Sequence, residues 1–476
     1  MSADKPVLYE RILRVASELF ALVVRAREPE QRVTTAFLRS KKRLSAEERR
    51  AASSLAYSAL RMKLLIDAML SDGQPFGEIA SAISLKHAAR LSGFRHVLHE
   101  VPVSAPIALH SRTACLDSPT GQIFEGSSIC LHNAIAKLTG LSADEVATAM
   151  ADMQRWFDAI ADTVRTSDES SSFLAAQYAL QPWWLDAWRT SGLDAAKCGE
   201  ALLRPPPVWL RVNAATHTVE AVMNGLTAAG HSVTSIPNVP FALQLVERSR
   251  VDDTPLYRDG AFEIQDISTQ FAALAMAPHS GWRILDACAG AGGKSMHFAS
   301  LQKDRGTILA CDSATPRLRS LQQRAARAGF QSIATISEKK LKSTPHLEGT
   351  FDAVLVDAPC SSSGVSRRMP SVKWKLTEDT VHRLAGKQLE ILESYAPYVA
   401  ENGYLSYTTC SLLPMENEAV VSAFLERHPE FIPAPFLSDL HLSLPDLTED
   451  MWHYTITPDV FDSDGFFLSR MKRISK

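Results

Sequence analysis

No CxxC pair occurs in the sequence, and its seven cysteines (115, 130, 198, 288, 311, 360 and 410) are odd in number and widely scattered. That argues against a disulfide framework and against a cysteine zinc site, and it fits a reducing compartment. No uncharged apolar run of 18 residues occurs, so no membrane span is expected. The opening MSADKPVLYE lacks the charged-then-apolar pattern of a signal peptide, and the expected location is cytoplasmic. A dominant charge is missing as well: 50 Lys and Arg stand against 53 Asp and Glu, a formal net charge of −3. Overall charge therefore announces no nucleic-acid partner, although a local basic face would suffice to bind one.

What is present is an ordinary globular composition, 46% hydrophobic and 22% charged over 476 residues, a length that suits about two to four domains. Leu8, Ile12, Leu13, Ala16, Leu19, Phe20 and Val23 share one helical face. Ser45 and Glu48 fit a capping box at the head of a second amphipathic stretch. With no strand alternation before about residue 165, residues 1–165 read as an all-α domain. The polar TSDESSS (166–172) reads as a linker. A helix holding Trp183, Trp184 and Trp188, a strand at 205–213, a helix at 218–229 and a strand at 241–246 then suggest a small α+β module over 173–255, of about one βαβ-like unit. From 256 to 476 strands alternate with helices. The strand candidates are 283–285, 307–311, 334–336, 351–356 and 404–408; the helices are 294–302, 314–328 and 377–400. That alternation predicts a mostly parallel, Rossmann-like sheet, whose ligands bind at the carboxyl ends of the strands.

Four strand ends carry chemistry. ILDACAGAGGKS (284–295) holds Gly290, Gly292 and Gly293 before a helix N-terminus. It is not a P-loop, which needs glycine where Cys288 stands, nor a dinucleotide GxGxxG, which needs glycine where Ser295 stands. By glycine content alone it is equally a tight strand-to-helix turn. Asp312, at the end of TILACD, can accept both hydroxyls of a ribose or cap the helix starting near Thr315. FDAVLVDAPCSSSG (351–364) delivers Asp357 and Cys360, and GYLSYTTCSLLPMENE (403–418) delivers Cys410. Each cysteine alone reads equally as a small buried apolar residue. Two thiols just beyond separate strands of one sheet make a stronger case.

Together these segments resemble the Nol/Nop/Sun family of RNA cytosine-5 methyltransferases, in its bacterial Sun branch. LDACAGAGGKS is similar to that family's cofactor loop, DAPCSSSGVSRRMPSVKW (357–374) to its catalytic-acid motif, and TTCSLLPMENEAVV (408–421) to its nucleophile motif. RPPPVWLRVN (204–213) and EIQDISTQ (263–270) resemble stretches that precede the cofactor loop, and residues 47–70 resemble the second half of a NusB-like RNA-binding domain. Residues 75–165 carry no such match. The sequence departs from the family at Ala291 (usually Pro), Ser371 (commonly Asp) and Glu338 (usually Asp).

The resemblance implies S-adenosylmethionine as cofactor, held by Cys288, Ala289, Gly290, Ala291, Gly292, Gly293, Lys294, Asp312, Glu338 and Asp357. It implies Cys410 as the nucleophile on carbon 6 of cytosine, Asp357 as a protonated donor to ring nitrogen 3, Cys360 as promoter of release and Lys294 as electrostatic support. The partner would be RNA, with small-subunit ribosomal RNA implied by the Sun branch. Arg367, Arg368, Lys373 and Arg211 are candidate phosphate contacts, or else charges on a solvated loop. No metal is expected, and a monomer is the default. Two other readings compete. A methyltransferase acting on a small molecule or a ring nitrogen would need neither cysteine. A non-catalytic RNA-binding or ribosome-assembly factor on a decayed fold would be expected to lose Cys410, Cys360 or Asp357, and all three are present.

Overall fold

The computed structural model describes residues 5–61, 178–436 and 444–475, with the single positions 63, 144 and 175. Apart from Asp144, the expectations for 75–165 and for the linker at 166–172 lie outside the described residues. The chain divides into two compact units, one of Met1–Pro205 with Ser366–Lys375, the other of Pro206–Val365 with Leu376–Lys476.

The first unit is helical where described. Helix α1 (Lys5–Arg25) buries Ile12, Ala16, Leu19 and Val23, the expected face. Helix α2 spans Glu30–Ser40 and α3 spans Ala46–Arg61. The capping box forms as the sequence predicts: Ser45 N donates to Glu48 Oε2 at 2.6 Å and Glu48 N to Ser45 Oγ at 3.1 Å. Helix α4 (Pro182–Thr190) starts with proline, where a missing N–H costs nothing, and buries Trp184 and Trp188 edge to face, ring centroids 6.0 Å apart. Helix α5 (Ala195–Ala201) is capped by Asp194.

The second unit holds two sheets. The smaller contains β1 (Val208–Val212), β2 (Val233–Ser235), β3 (Ala242–Leu245) and β4 (Phe262–Ile264), in the order β2-β3-β1-β4. Helix α6 (Val219–Ala228) follows β1. Here the structure corrects the sequence reading. Strands β1 and β3 pair antiparallel rather than as a βαβ crossover, and β4 completes the sheet beyond residue 255. Helix α7 (Ile267–Met276) makes the two sheets inseparable, because its Ile267, Phe271 and Ala275 share one core with Trp209 of the small sheet and with Phe466 and Leu468.

The larger sheet is built from β5 (Arg283–Asp286), α8 (Gly293–Leu301), β6 (Thr307–Asp312), α9 (Thr315–Arg327), β7 (Ile333–Ser337), α10 (Glu338–Lys342), β8 (Phe351–Asp357), α11 (Glu378–Tyr395), β9 (Val399–Thr409), α12 (Glu418–Arg427), β10 (Phe431–Pro433), β11 (His453–Ile456) and β12 (Phe466–Arg473). Among the described residues it has eight strands, ordered β10-β12-β9-β8-β5-β6-β7, with β11 on β12. The five strands from β9 to β7 are parallel, while β10, β11 and β12 add antiparallel pairing at one side. Both faces are covered, as near-continuously apolar strands require. The parallel run brings Asp286, Asp312, Ser337, Asp357 and Thr409 to one edge.

Candidate active site

The β5–α8 loop turns on two glycines in the left-handed region. Gly290 has φ 55° and open space around it; Gly292 has φ 84°, and a Cβ there would meet Leu321 Cγ at 2.3 Å. Ala289 N donates to Cys311 O at 2.8 Å, and Arg324 fixes the Ala291 carbonyl at 2.6 Å. Asp312 reaches across from β6: its Oδ2 accepts from Gly290 N at 2.9 Å and its Oδ1 from Ala314 N at 2.7 Å. It is thus tied to the loop rather than capping α9, where Ala314 stands at the cap position. Glu338 follows Ser337, the register partner of Asp312 on β7, and pairs with Lys342 at 2.7 Å. Cys288 is a half-buried thiol pushed up by desolvation. Loop, Asp312 and Glu338 therefore line adjacent strand ends, an arrangement that fits a nucleoside.

One loop acid was missed by the sequence reading. Asp286 is fully buried, accepts from Ser295 Oγ at 2.6 Å, and leaves Oδ1 without a hydrogen-bond partner among the described residues. Burial pushes its carboxyl up to about 6. Its position at the end of an apolar strand was the available signal, the same that singled out Asp312 and Asp357.

Asp357 and Lys294 form an ion pair at 2.7 Å, and Thr408 Oγ1 donates to the other carboxylate oxygen at 3.0 Å. Burial alone would lower Lys294, but the charge and hydrogen bond of Asp357 outweigh it and hold the ammonium above its ordinary value. The sulfurs of Cys360 and Cys410 lie 3.2 Å apart. They titrate in opposite directions. Cys410 is lowered, first by the hydrogen bond from Cys360 and also by Ser362 and Lys294, whereas Cys360 is driven well above a normal thiol by that same contact and by burial. The contact therefore favours a thiolate at Cys410 over one at Cys360.

The expected phosphate contacts do not survive the geometry. Arg367 is fully buried, and its carbonyl accepts from Arg61 at 3.2 Å. Lys373 is buried too, donating to the carbonyls of Arg61 (3.4 Å) and Tyr178 (3.2 Å), and desolvation brings its amine down to about 7. These residues, with the half-buried Arg368, belong to the segment Ser366–Lys375 that packs in the helical unit. Arg211 is buried on β1 and bonds Gln265 and the Gly293 carbonyl. It braces the glycine loop from behind; burial brings it down to about 9. Three of the four candidate contacts thus hold protein rather than solvent or phosphate.

A parallel sheet bearing a glycine turn, strand-end acids and two thiols at one edge defines a Rossmann-like methyltransferase domain joined to a small antiparallel module. Residues 273–472 match the family model described as 16S rRNA methyltransferase RsmB/F, and residues 181–252 match the ferredoxin-like domain of the same group. The probable ribosomal RNA small subunit methyltransferase B of Bacillus subtilis is 35% identical over 326 residues, 67% of this chain and 70% of that protein. The Pasteurella multocida ribosomal RNA small subunit methyltransferase B is 33% identical over 282 residues, and the match spans 58% of this chain and 61% of that protein. A solved methyltransferase homologue from Pyrococcus horikoshii is 26% identical, with a TM-score of 0.54 over 65% of this chain and all of that one. NSun6 from the same organism, at 17% identity and a TM-score of 0.55 over 62% of this chain and 98% of its own, shares the fold. The chain belongs to the RsmB/F family of ribosomal RNA methyltransferases.

Proposed function

We propose that this chain transfers a methyl group from S-adenosylmethionine to carbon 5 of a cytosine in small-subunit ribosomal RNA, through a covalent Cys410 adduct. The observation that carries the reading is the thiol pair at 3.2 Å, with Cys410 lowered and Cys360 raised. Methylation of an exocyclic or ring nitrogen, which is already nucleophilic, would need neither thiol. The substrate follows from the names of the relatives, and a cytoplasmic location follows from the substrate.

The loop from Cys288 to Lys294, with Asp312, Glu338 and Asp357, would hold the cofactor, which supplies an electrophilic methyl group. NSun6, which shares the fold, was crystallised with SFG, an analogue of S-adenosylmethionine. The target base must leave its stack to reach a thiol at a strand end. The Cys410 thiolate adds its electron pair to carbon 6, and charge moves through the ring to nitrogen 3 and carbon 5. Lys294 donates to Asp357 and is held above its ordinary value, so the pair can donate a proton to nitrogen 3 as that charge develops. After carbon 5 is methylated its proton must leave and the proton on nitrogen 3 must return to the Lys294–Asp357 pair, so that the electron pair can re-form the double bond and expel Cys410 as thiolate. Cys360 is the base for that step. Its proton is held chiefly by the contact with Cys410. Once Cys410 is bonded to carbon that cause is withdrawn, so Cys360 gives its own proton to solvent and its thiolate then takes the proton from carbon 5.

The test is methyl transfer from labelled S-adenosylmethionine to unmodified ribosomal RNA. Wild type should yield 5-methylcytosine, Cys410→Ala should be inactive, and Cys360→Ala should accumulate a covalent RNA–protein adduct. Tight RNA binding without methylation of any RNA offered would favour a non-catalytic assembly factor instead.

A further inference from the structure

The loops that carry the two thiols are joined through one buried carboxyl group. Glu416, fully buried, lies in the turn after Cys410. Its Oε1 accepts from Ser361 N at 2.8 Å and from Gln388 Nε2 at 2.9 Å. Its Oε2 accepts from Ser411 Oγ at 2.6 Å and from Ser361 Oγ. Ser361 follows Cys360 and Ser411 follows Cys410. One side chain thus holds the residue beside each sulfur. Among the described residues no Lys, Arg or His forms an ion pair with it; four donors converge on it instead, which suits an acceptor-only group. Removing it leaves those donors facing a void, and a buried donor without a partner is costly enough to move.

Other contacts also join the loops. Gly364 N donates to Cys410 O at 3.0 Å and Leu412 N to Ser363 Oγ at 2.9 Å. Beside the sulfurs, the hydroxyls of Ser361 and Ser411 lie 3.3 Å apart and Ser363 bonds both, its N donating to Ser361 Oγ at 3.3 Å and its Oγ lying 3.0 Å from Ser411 Oγ; Glu416 is the acidic acceptor that gathers these two hydroxyls together with Ser361 N.

We infer that Glu416 is a positioning residue that sets the separation of Cys360 and Cys410. The inference rests on the proposed function only in treating Cys410 as the nucleophile. Its electrostatics agree, since the charge of Glu416 is one of the causes that keep the proton on Cys360.

Two readouts test it. The first is the pH dependence of Cys410 alkylation by iodoacetamide, followed by peptide mass spectrometry with no RNA present. In Glu416→Ala the residues beside the two sulfurs are released while the contacts through Gly364 and Leu412 remain; the sulfurs separate, Cys410 loses the donor that lowers it, and the midpoint moves upward toward that of Cys360→Ala. The second is methylation kinetics, where kcat should fall about 100-fold, the effect of a misplacement near 1 Å, with the KM for S-adenosylmethionine unchanged. Glu416→Gln keeps one acceptor oxygen and lets the serine hydroxyls turn to accept, so it should restore the wild-type midpoint. A wild-type midpoint and kcat in Glu416→Ala overturn the inference. So does a Gln variant as impaired as the Ala variant, which would make the charge rather than the tether responsible. Should Glu416→Ala fail to fold, Ser411→Ala removes the leg beside Cys410 together with the Ser411 bonds to Ser361, Ser363 and Leu413 N, and an unmoved midpoint there overturns the inference equally. Retained methyl transfer in Cys410→Ala would sink the proposed function while leaving the alkylation result readable.

Discussion

Two thiols of the same intrinsic chemistry differ here because of what surrounds them. Lys294 is among the groups that lower Cys410, and Asp357 opposes it. Replacing Lys294 by Met removes the cation and leaves the Asp357 charge uncompensated, and both effects raise Cys410. The thiolate fraction at neutral pH should then fall. Alkylation of Cys410 at pH 7 should be slower than in wild type, and the two rates should converge at high pH, where both thiols are ionised. Equal rates at pH 7 would show that the ammonium does not act on Cys410. Cys410 and Asp357 were legible in the sequence because each stands at the end of a strand, and Lys294 because it closes the glycine-loop motif. Glu416 was not, although it stands in a quoted motif, since nothing in PMENE says that its carboxyl turns back onto two serines.

At the scale of elements, the alternation of strand and helix placed every parallel strand to within a few residues, since a strand covered on both faces must be apolar throughout. The β5–α8 loop is the element on which cofactor binding depends. Its Gly292 has both a positive φ and a neighbour where a Cβ would sit. Gly292→Ala should therefore cost roughly 1–3 kcal/mol, a fall of about 2–4 °C in Tm for each kcal/mol in a unit of this size. Thermal melts would check it, with Gly290→Ala, at an open position of positive φ, showing the smaller loss. The small module was read less well. Its strands were found but its pairing was not, because a short β-α-β stretch has the same periodicity whether the strands close parallel or, with β2 intervening, antiparallel.

At the scale of the molecule, sequence order and packing disagree. Ser366–Lys375 lies between two segments of the methyltransferase unit yet belongs to the helical one. Arg367 and Lys373 are buried there. Trypsin should therefore cut slowly after both residues in the full chain. A fragment of residues 206–476 lacks Arg61 and Tyr178, whose carbonyls hold Lys373, and should be cut quickly at both positions. Peptide mapping over time would decide it, and equal rates in both proteins would refute the packing of this segment.

The sequence by itself determined the five parallel strands, Asp312 and Asp357 at two of their ends, the glycine turn and the two thiols. Each of these follows from local periodicity, or from chemistry that only a few residue types can perform. Tertiary structure alone decided that the sulfurs meet at 3.2 Å, that Cys410 rather than Cys360 is the lowered one, and that Arg211, Arg367 and Lys373 face protein. The physical reason is common to all three. A charge or a thiol takes its role from the groups packed around it, and those come from segments tens to hundreds of residues away.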